Sequence, residues 1–385
     1  MKDLGIYFDA IETNGKFNAH QVGHSLIKND GKGFPTPEKG SVCLIFVPEF
    51  RNSYEASDGE YAAEIQETLE NHFAGDWNTD LYSLGVISPG ATIEDTYLAV
   101  RDVVAELIKN EIFPLIIGGS QDLMLPVYQA YQVLEQTVNI LDIDPSLDLG
   151  ETDQSLNNKA WLNKVILHKP SYLFNYSLFG YQRYLTNPAE LGLLDKMYFD
   201  HMRLGNYFEN KKIIEPLTRN ADILSFDMNA IRSSDYLSNQ LHLPHGFYGE
   251  DACAIMRYSG FSDKLTSAGI FNISGGVKER KQDLNLIAEM IWYFVEGFNQ
   301  RKKDYPIGSK TNYTKYTVTI DDFKDQIIFY KSDKSSRWWM EVPYPDLEGS
   351  KYQRHLLIPC NYSDYENALK NEMPNLWWKT YEKLS

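Results

Sequence analysis

The chain has 385 residues with 43% apolar content, which is enough to bury a large core, either in one large α/β domain with an appendage or in two domains. Its 37 basic and 53 acidic residues give a net charge of −16, which disfavours binding to nucleic acid or to an anionic membrane surface. The three cysteines, Cys43, Cys253 and Cys360, form no Cys-x-x-Cys pair, which excludes a zinc ribbon and indicates reduced, mostly buried thiols.

The N-terminal segment "MKDLGIYFDAIETNG" has neither the basic start nor the apolar region of a secretion signal. No apolar run in the chain approaches the roughly 20 residues that span a bilayer. Together with the reduced cysteines, these features lead us to expect a soluble, cytoplasmic protein without membrane insertion.

Strand-like apolar runs alternate with helical periodicity from about residue 41 to residue 298. The runs "SVCLIFVP" (41–48) and "LYSLGVI" (81–87) are short, β-branched or aromatic and bounded by Pro or Gly, which predicts buried strands. The segment between them, "EYAAEIQETLENHF", is predicted to be a helix. Residues 92–110 open with a Thr-x-x-Asp capping pattern and repeat apolar residues at helical spacing, which predicts an amphipathic helix.

The alternation continues through further predicted strands, which are "FPLIIGG", "VNILDID", "NYSLFGYQ", "DILSFDMNAI" and "AGIFNIS". A predicted helix follows the first of these strands, and another follows the last. Parallel strands need crossover connections that cover both faces of their sheet. The order therefore predicts an α/β fold with a mostly parallel sheet and helices on both sides, in which sites form at the carboxyl ends of strands.

The composition changes after residue 300, where "QRKKDYPIGSK" is predicted to be a linker. Residues 312–385 hold four of the seven tryptophans, and "YTKYTVTI", "DQIIFYKSD" and "RWWMEVPY" are predicted strands before a partly helical tail. We therefore divide the chain into a domain of residues 1–300 and a β-rich, aromatic C-terminal appendage of residues 301–385. Trp338 and Trp339 must face opposite sides of a strand, so one of them is exposed unless the appendage folds over its own core.

Polar residues follow three of the predicted strands, in "IIGGSQD", "DIDPSLDL" and "SFDMNAIRSSD". If the loops after these strands converge, Asp144, Asp148 and Asp227 form a carboxylate triad. Carboxylate oxygens suit hard cations such as Mg²⁺, Ca²⁺ or Mn²⁺. The alternative for any single one of them is that it caps a helix or shapes a turn.

The order and spacing of these segments resemble the ureohydrolases, a family that includes arginase, agmatinase and formimidoylglutamase. Its members carry Gly-Gly-Asp-His-Ser, then Asp-Ala-His-x-Asp, then Ser-x-Asp-x-Asp-x-x-Asp-Pro. The resemblance covers about residues 40–298 and includes "HGFYGEDACAIMRYSG" (245–260), which is similar to the family's Gly-Leu-x-Tyr-Arg-Glu-Ala stretch. Agreement of four segments in order is more specific than any single motif. The resemblance implies a three-layer α/β/α sandwich.

Carried over residue by residue, the family's metal ligands are only partly present. Asp144, Asp148 and Asp227 are kept, and the active-site glutamate falls on Asp251, with Glu250 beside it as an alternative alignment. The imidazole and second-aspartate positions are degenerate, being occupied by Gln121, Ser146 and Asn229. The family's catalytic histidine is expected between Asp148 and the "NYSLFGYQ" strand, and residues 149–167 contain no histidine.

Family members use two Mn²⁺ ions to hold and deprotonate one water, which then attacks an amidine carbon. Here the first site retains Asp144, Asp148 and Asp227 with the amide of Gln121, an all-oxygen set suited to one divalent cation, either Mn²⁺ or Mg²⁺. The second site has lost its transition-metal ligands at Asn229 and Ser146. The resemblance therefore implies a chain without a working dinuclear centre.

Two histidines in "HLPH" stand near the site's rim if the family's geometry holds. His242 and His245 are then either substitute ligands or a substrate clamp, or else unremarkable residues of an exposed loop, which is the alternative we favour. We assign His245 to the pocket rim.

Two functions from different classes remain. The first is a non-catalytic family member, which binds a ligand in the old pocket or a protein partner through the appendage, and which forms a homo-oligomer as family members do. The second is an active hydrolase of linear amidines with a single ion, helped by His245 and with Asp251 gripping a cationic substrate. The altered positions Gln121, Ser146 and Asn229 favour the first.

Overall fold

A parallel sheet of nine strands organises the chain in the computed structural model, which describes residues 2–54, 61–151, 153–306, 309–321, 323, 326–343 and 350–384. The strands are β1 Ile27–Lys28, β2 Val42–Val47, β3 Leu81–Val86, β4 Phe113–Gly118, β5 Val138–Ile143, β6 Leu173–Tyr181, β7 Asp200–Arg203, β8 Ile223–Asp227 and β9 Ser267–Phe271. Their order across the sheet is β1-β3-β2-β4-β9-β8-β5-β6-β7, and every pairing among them is parallel.

Helices cover both faces of this sheet. They are α1 Val22–Ser25, α2 Ala62–Asn71, α3 Ile93–Lys109, α4 Met124–Val133, α5 Trp161–Leu167, α6 Pro188–Lys196, α7 Leu204–Glu209, α8 Ile214–Asn220, α9 Gly249–Gly260 and α10 Lys281–Asn299. One hydrophobic core packs α2, α9 and α10 against one face, and a second packs α3, α4 and α5 against the other. The three-layer α/β/α sandwich is confirmed. In the described part of the chain, no helix is long and apolar enough to cross a membrane.

Strand β2 shows why the sheet was predictable. Its six residues are all buried, with Val42, Leu44 and Phe46 in one core and the alternate residues in the other. A strand covered on both faces gives a continuous apolar run, which is the pattern of "SVCLIFVP". The predicted cap of α3 is also present, since Thr92 and Asp95 form a reciprocal capping box. All three cysteines are buried and unpaired.

The C-terminal appendage contains a second, antiparallel sheet. Within the described residues it has the order β10-β11-β12-β13, followed by two helices. These elements are β10 Tyr313–Val318, β11 Ile327–Ser332, β12 Trp338–Glu341, β13 Leu357–Cys360, α11 Tyr362–Leu369 and α12 Asn375–Leu384. The predicted linker and three of the predicted helix and strand segments also include residues 60, 307–308, 325 and 344, which lie outside the described residues.

Both tryptophans of β12 are buried, because the appendage folds onto its own core and onto the main domain. Trp338 is 8% exposed and stacks on Tyr365, with ring centroids 5.1 Å apart. Trp339 is 2% exposed, and the guanidinium of Arg219 from α8 lies 4.7 Å from its ring centroid. Neither Trp338 nor Trp339 is therefore an exposed interface anchor.

Buried polar contacts hold the appendage against the N-terminal ends of the central strands. Asp222, directly before β8, is fully buried and pairs with Arg354 at 2.7 Å and with Lys264 at 3.6 Å. Arg219 donates to the carbonyl oxygens of Trp338 and Cys360 at 3.1 and 3.0 Å. Since a parallel sheet forms sites at the opposite, carboxyl edge, the appendage lies away from the candidate site.

His355 of the appendage gives this docking a predicted pH dependence. Its ring stacks on Phe174 with centroids 4.0 Å apart, and burial together with the nearby Lys264 and Arg354 lowers its pKa well below the usual range. The folded chain therefore keeps His355 neutral, whereas the unfolded chain protonates it below a pH of about 6.5. The stability that neutral His355 contributes is therefore fully present above a pH of about 6.5. As the pH falls below that value, the free energy of unfolding decreases by up to about 1.4 kcal/mol per pH unit.

Urea unfolding of the wild type and of H355Q at pH 7.5 and pH 5.5 measures this effect. We expect the wild type to lose about 1 kcal/mol more stability than H355Q between the two conditions. Equal losses in the two proteins would show that His355 titrates normally in the folded chain.

Candidate functional site

The carboxyl ends of four neighbouring strands, β4, β9, β8 and β5, bring the predicted site residues together. Gln121 follows β4, Asp227 ends β8, and Asp144 follows β5, while Asn272 follows β9. All four side chains are buried. The predicted convergence of the loops after "IIGGSQD", "DIDPSLDL" and "SFDMNAIRSSD" is therefore present in the structure.

Gln121 directs its amide nitrogen toward the acidic residues. This nitrogen donates to Asp142 Oδ1 at 2.9 Å and to Ser225 Oγ at 3.0 Å, while the amide oxygen accepts from Asn272 Nδ2 at 3.3 Å. An amide N–H₂ group has no lone pair for a cation. At the first imidazole position of the family pattern, the chain thus presents hydrogen-bond donors to the cluster, and both groups of the amide are used.

Ser146 and the two aspartates around it form a closed turn. Asp144 Oδ1 accepts hydrogen bonds from the Ser146 backbone N–H at 2.7 Å and from its hydroxyl at 3.2 Å. The same hydroxyl is 3.2 Å from Asp148 Oδ1. These are the local contacts of a turn-shaping aspartate. Among the described residues, the buried Asp144 Oδ2 has no hydrogen-bond partner.

Asp227 and Asn229 make similar local contacts at the end of β8. Asp227 Oδ1 accepts from the backbone N–H of Asn229 at 2.7 Å. The side-chain oxygen of Asn229 accepts from the backbone N–H of Gln240 at 2.8 Å. Asn229 therefore uses its oxygen to fix the following loop, where a metal ligand would point that oxygen at the cluster.

A fourth carboxyl group, Asp142, belongs to the same cluster. Its Oδ2 accepts from the hydroxyl of Tyr176 at 2.7 Å, and its Oδ1 accepts from Gln121. The sequence assigned Asp142 only to the strand, and it does lie within β5, but its side chain faces the site. The available signal was its spacing from Asp144, because residues two apart on a strand point to the same face.

Burial governs the protonation of these carboxyl groups. It raises the pKa of Asp142, Asp148 and Asp227 well above the usual range, and the neighbouring carboxylates raise it further. Burial also raises the pKa of Asp144 to about 6, against the hydrogen bonds from the backbone N–H and hydroxyl of Ser146. In the protein alone the cluster therefore retains protons that exposed aspartates lose.

The residues present do not fit a dinuclear manganese centre. In the part of the chain that the structure describes, no three or more His, Cys, Asp or Glu side chains are arranged to hold a metal ion. Gln121, Ser146 and Asn229 stand at the altered ligand positions, and each makes hydrogen bonds within the protein. A two-metal hydroxide mechanism needs ligands for both ions, which these side chains do not supply.

Asp251, the residue predicted to act on a substrate, lies in the first turn of α9. Its Oδ2 accepts a hydrogen bond from the backbone N–H of Tyr248, the residue before α9, at 3.2 Å. Its Oδ1 accepts from the hydroxyl of Tyr207 at 2.8 Å and from Lys211 Nζ at 2.5 Å. Asp251 is 2% exposed, so both carboxylate oxygens are engaged inside the protein.

His245 lines a cavity of about 390 Å³ beside the cluster. Gln182 connects the two features, because its backbone N–H donates to the carbonyl of Pro145 at 2.8 Å and its side chain donates to the carbonyl of His245 at 2.8 Å. The cavity is therefore one residue away from the turn that holds Asp144. The structure places His245 in the lining of this cavity, and its role at a pocket rim stays a prediction.

A parallel sheet lies between two helical layers, and buried aspartates lie where β5 and β8 end. The chain is thus an α/β/α protein of the class in which functional sites form at the carboxyl ends of the strands. The model of the arginase family matches residues 51–295, which is more than half of the chain. The chain therefore belongs to the arginase family. A search of curated protein sequences found no match.

Solved structures of arginase-family proteins share the fold. Formimidoylglutamase from Bacillus subtilis has a TM-score of 0.66 at 16% identity, over 77% of this chain and 98% of that one. Formiminoglutamase from Trypanosoma cruzi, solved with Mn²⁺, has a TM-score of 0.64 at 16% identity, over 70% and 97%. Arginase from Medicago truncatula has a TM-score of 0.56 at 14% identity, over 66% and 86%. At these identities the similarity shows the fold alone.

Proposed function

We propose that this chain is a non-catalytic member of the arginase family, which binds a ligand in its former active-site region without hydrolysing it. The observation that carries the proposal is the orientation of Gln121, whose amide nitrogen donates to Asp142 and Ser225. A donor group at that position holds the carboxyl groups together without a cation. This amide nitrogen also occupies the position where a first metal ion would need a ligand atom with a free electron pair.

The other altered positions support the same function. Ser146 and Asn229 hydrogen-bond locally, and residues 149–167 contain no histidine that could act as a general acid or base there. Asp251 is engaged by Lys211 and Tyr207. A bridging hydroxide needs two ions, so a chain without the second ligand set lacks the nucleophile of the reaction.

We further propose that the cluster takes at most one divalent cation, Mn²⁺ or Mg²⁺, for which Asp144, Asp148 and Asp227 have to turn toward a common point that they do not share in the described structure. The unpartnered Asp144 Oδ2 favours this, since a buried carboxylate oxygen without a donor is stabilised by a cation. A single-ion hydrolase of linear amidines is the second candidate function that this oxygen supports. Against it, the adjoining cavity is lined by arginines, which repel a guanidinium substrate.

Activity assays test this proposal. Protein purified with added Mn²⁺ is incubated with arginine, agmatine or formimidoylglutamate, and release of urea, formamide or ammonia is followed. We expect no release above that of a protein-free control, while a manganese-loaded arginase assayed in parallel hydrolyses arginine. Turnover at enzyme-like rates, about 1 s⁻¹ or faster, with any of the three substrates would overturn the proposal.

Helices α11 and α12 of the appendage expose large apolar side chains of the kind found at protein interfaces. Trp378, Tyr362 and Leu369 are 41%, 52% and 59% exposed there, and exposed aromatic residues are common interface anchors. We propose self-association or protein binding through this surface, in a cytoplasmic setting and without nucleic acid. Light scattering should then show an oligomer that W378A weakens. A wild-type monomer at micromolar concentration would contradict self-association.

A further inference from the structure

The cavity beside the carboxyl cluster is strongly cationic in a chain of net charge −16. Arg183, Arg203 and Arg232 line it together with His245, and no Asp or Glu is among the described residues of its lining. The other nine lining residues are uncharged, and four of them are aromatic, namely Tyr181, Tyr184, Phe208 and Tyr248. Arg232 is paired with Asp235, so two unpaired guanidinium charges remain, and a local excess of positive charge on an acidic protein marks a site for an anion.

Two of the three guanidinium groups are free to bind. Arg183 and Arg203 are exposed and form no ion pair with any residue that the structure describes. Arg203 lies opposite Tyr181 in the pairing of β6 with β7, and Arg183 follows Tyr181 by two residues. Both arginines therefore belong to the part of the cavity lining next to Tyr181.

The third guanidinium group is held in place. Arg232 Nε donates to Asp235 Oδ1 at 2.8 Å, and its guanidinium carbon lies 3.9 Å from the ring centroid of Tyr248. The ring of Tyr248 in turn meets Phe208 edge-on, with centroids 5.5 Å apart. The Nε edge of the Arg232 guanidinium is thus fixed, which leaves its remaining N–H groups to bind a ligand beside the rings of Tyr248 and Phe208.

We propose that this cavity binds a small phosphate monoester whose organic group is a planar ring, as in a mononucleotide. This inference rests on the proposed non-catalytic function and names its ligand class. A phosphate monoester carries about two negative charges and three acceptor oxygens, which match several guanidinium forks. Arg232 already covers one face of Tyr248, so the planar group stacks on the exposed ring of Tyr184 or Phe208, as bases do on exposed rings. The volume of about 390 Å³ is that of a small-molecule site.

Calorimetric titration of the full-length chain tests the proposal. Adenosine monophosphate is the probe, and adenosine, inorganic phosphate, L-glutamate and arginine are compared with it. We expect adenosine monophosphate to bind in the micromolar range, at least about tenfold more tightly than each of the other four, and more weakly at high salt. Equal binding of adenosine, or tighter binding of L-glutamate, would overturn the assignment of a phosphate monoester.

Variants locate the site. In R183A/R203A the affinity for adenosine monophosphate should fall at least about tenfold, since each charge-assisted contact contributes roughly that factor. Both residues are exposed, so the fold should persist, which circular dichroism checks. The matched control K32A/K370A removes two charges from exposed positions outside the cavity and should bind as the wild type does. Unchanged affinity in R183A/R203A would overturn the site. Hydrolysis of an amidine would overturn the proposed function instead, whatever the titrations show.

Discussion

Replacing Asp222 with alanine should destabilise the folded chain by about 3–5 kcal/mol, which is the effect of removing one partner from a buried ion cluster. Asp222 is fully buried, and its Oδ1 accepts from Arg354 while its Oδ2 accepts from the backbone N–H of Asn139 at 2.9 Å. Lys264, which is 2% exposed, lies 3.6 Å from Oδ2. The variant leaves Lys264 buried without its counter-charge, and it leaves Arg354, whose side chain is 31% exposed, without its ion-pair partner.

Urea unfolding measures this loss, and an exposed ion pair provides the control. Lys39 Nζ lies 2.5 Å from Glu111 Oε1, but the two side chains are 69% and 67% exposed. K39A should therefore lower the free energy of unfolding by less than about 1 kcal/mol. If D222A also costs less than about 1 kcal/mol, the appendage is not held to the main domain through this cluster.

Restoring the family's ligands should give the chain a second metal ion. In Q121H/S146H/N229D, two imidazoles and one carboxylate replace an amide donor, a hydroxyl and an amide. The substituted side chains then supply the nitrogen and oxygen ligands that suit Mn²⁺. The carboxylate introduced by N229D can still accept the hydrogen bond that Asn229 now receives from Gln240. We expect bound Mn²⁺ to rise from at most one ion per chain to about two.

Elemental analysis of dialysed protein measures this rise. The matched control is Q121A/S146A/N229A, which changes the same three positions without adding ligands and should bind no more Mn²⁺ than the wild type. Circular dichroism establishes that each variant is folded, and Q121H alone provides a milder substitution if the triple variant is not. A folded Q121H/S146H/N229D that binds no additional Mn²⁺ would contradict the assigned ligand positions.

The strands of the sheet and the start of helix α3 could be predicted, because both follow from local sequence patterns. Strand β2 is buried on both faces and therefore forms an unbroken apolar run, and α3 begins at the Thr92–Asp95 capping box. The positions of Asp144, Asp148 and Asp227 at one edge follow from the parallel order of the strands that precede them. In each case, the spacing of residues along the chain carries the information.

Side-chain direction and distant pairings could not be predicted in the same way. Gln121 faces Asp142 with its nitrogen because Asn272, 151 residues away, donates to its oxygen. The arginine-lined cavity is built from residues after β6, at the end of β7 and in the loop after β8. Asp222 and Arg354 are 132 residues apart in sequence. Such contacts depend on the packed tertiary structure, which no short segment encodes.

The manganese content of the wild-type chain tests the central claim most directly. Protein purified with added Mn²⁺ and dialysed free of excess metal is analysed for manganese per chain. The loss of ligands at Gln121, Ser146 and Asn229 predicts at most about one ion. Two tightly bound ions per chain would show that the dinuclear centre is intact and would contradict the non-catalytic function proposed for this protein.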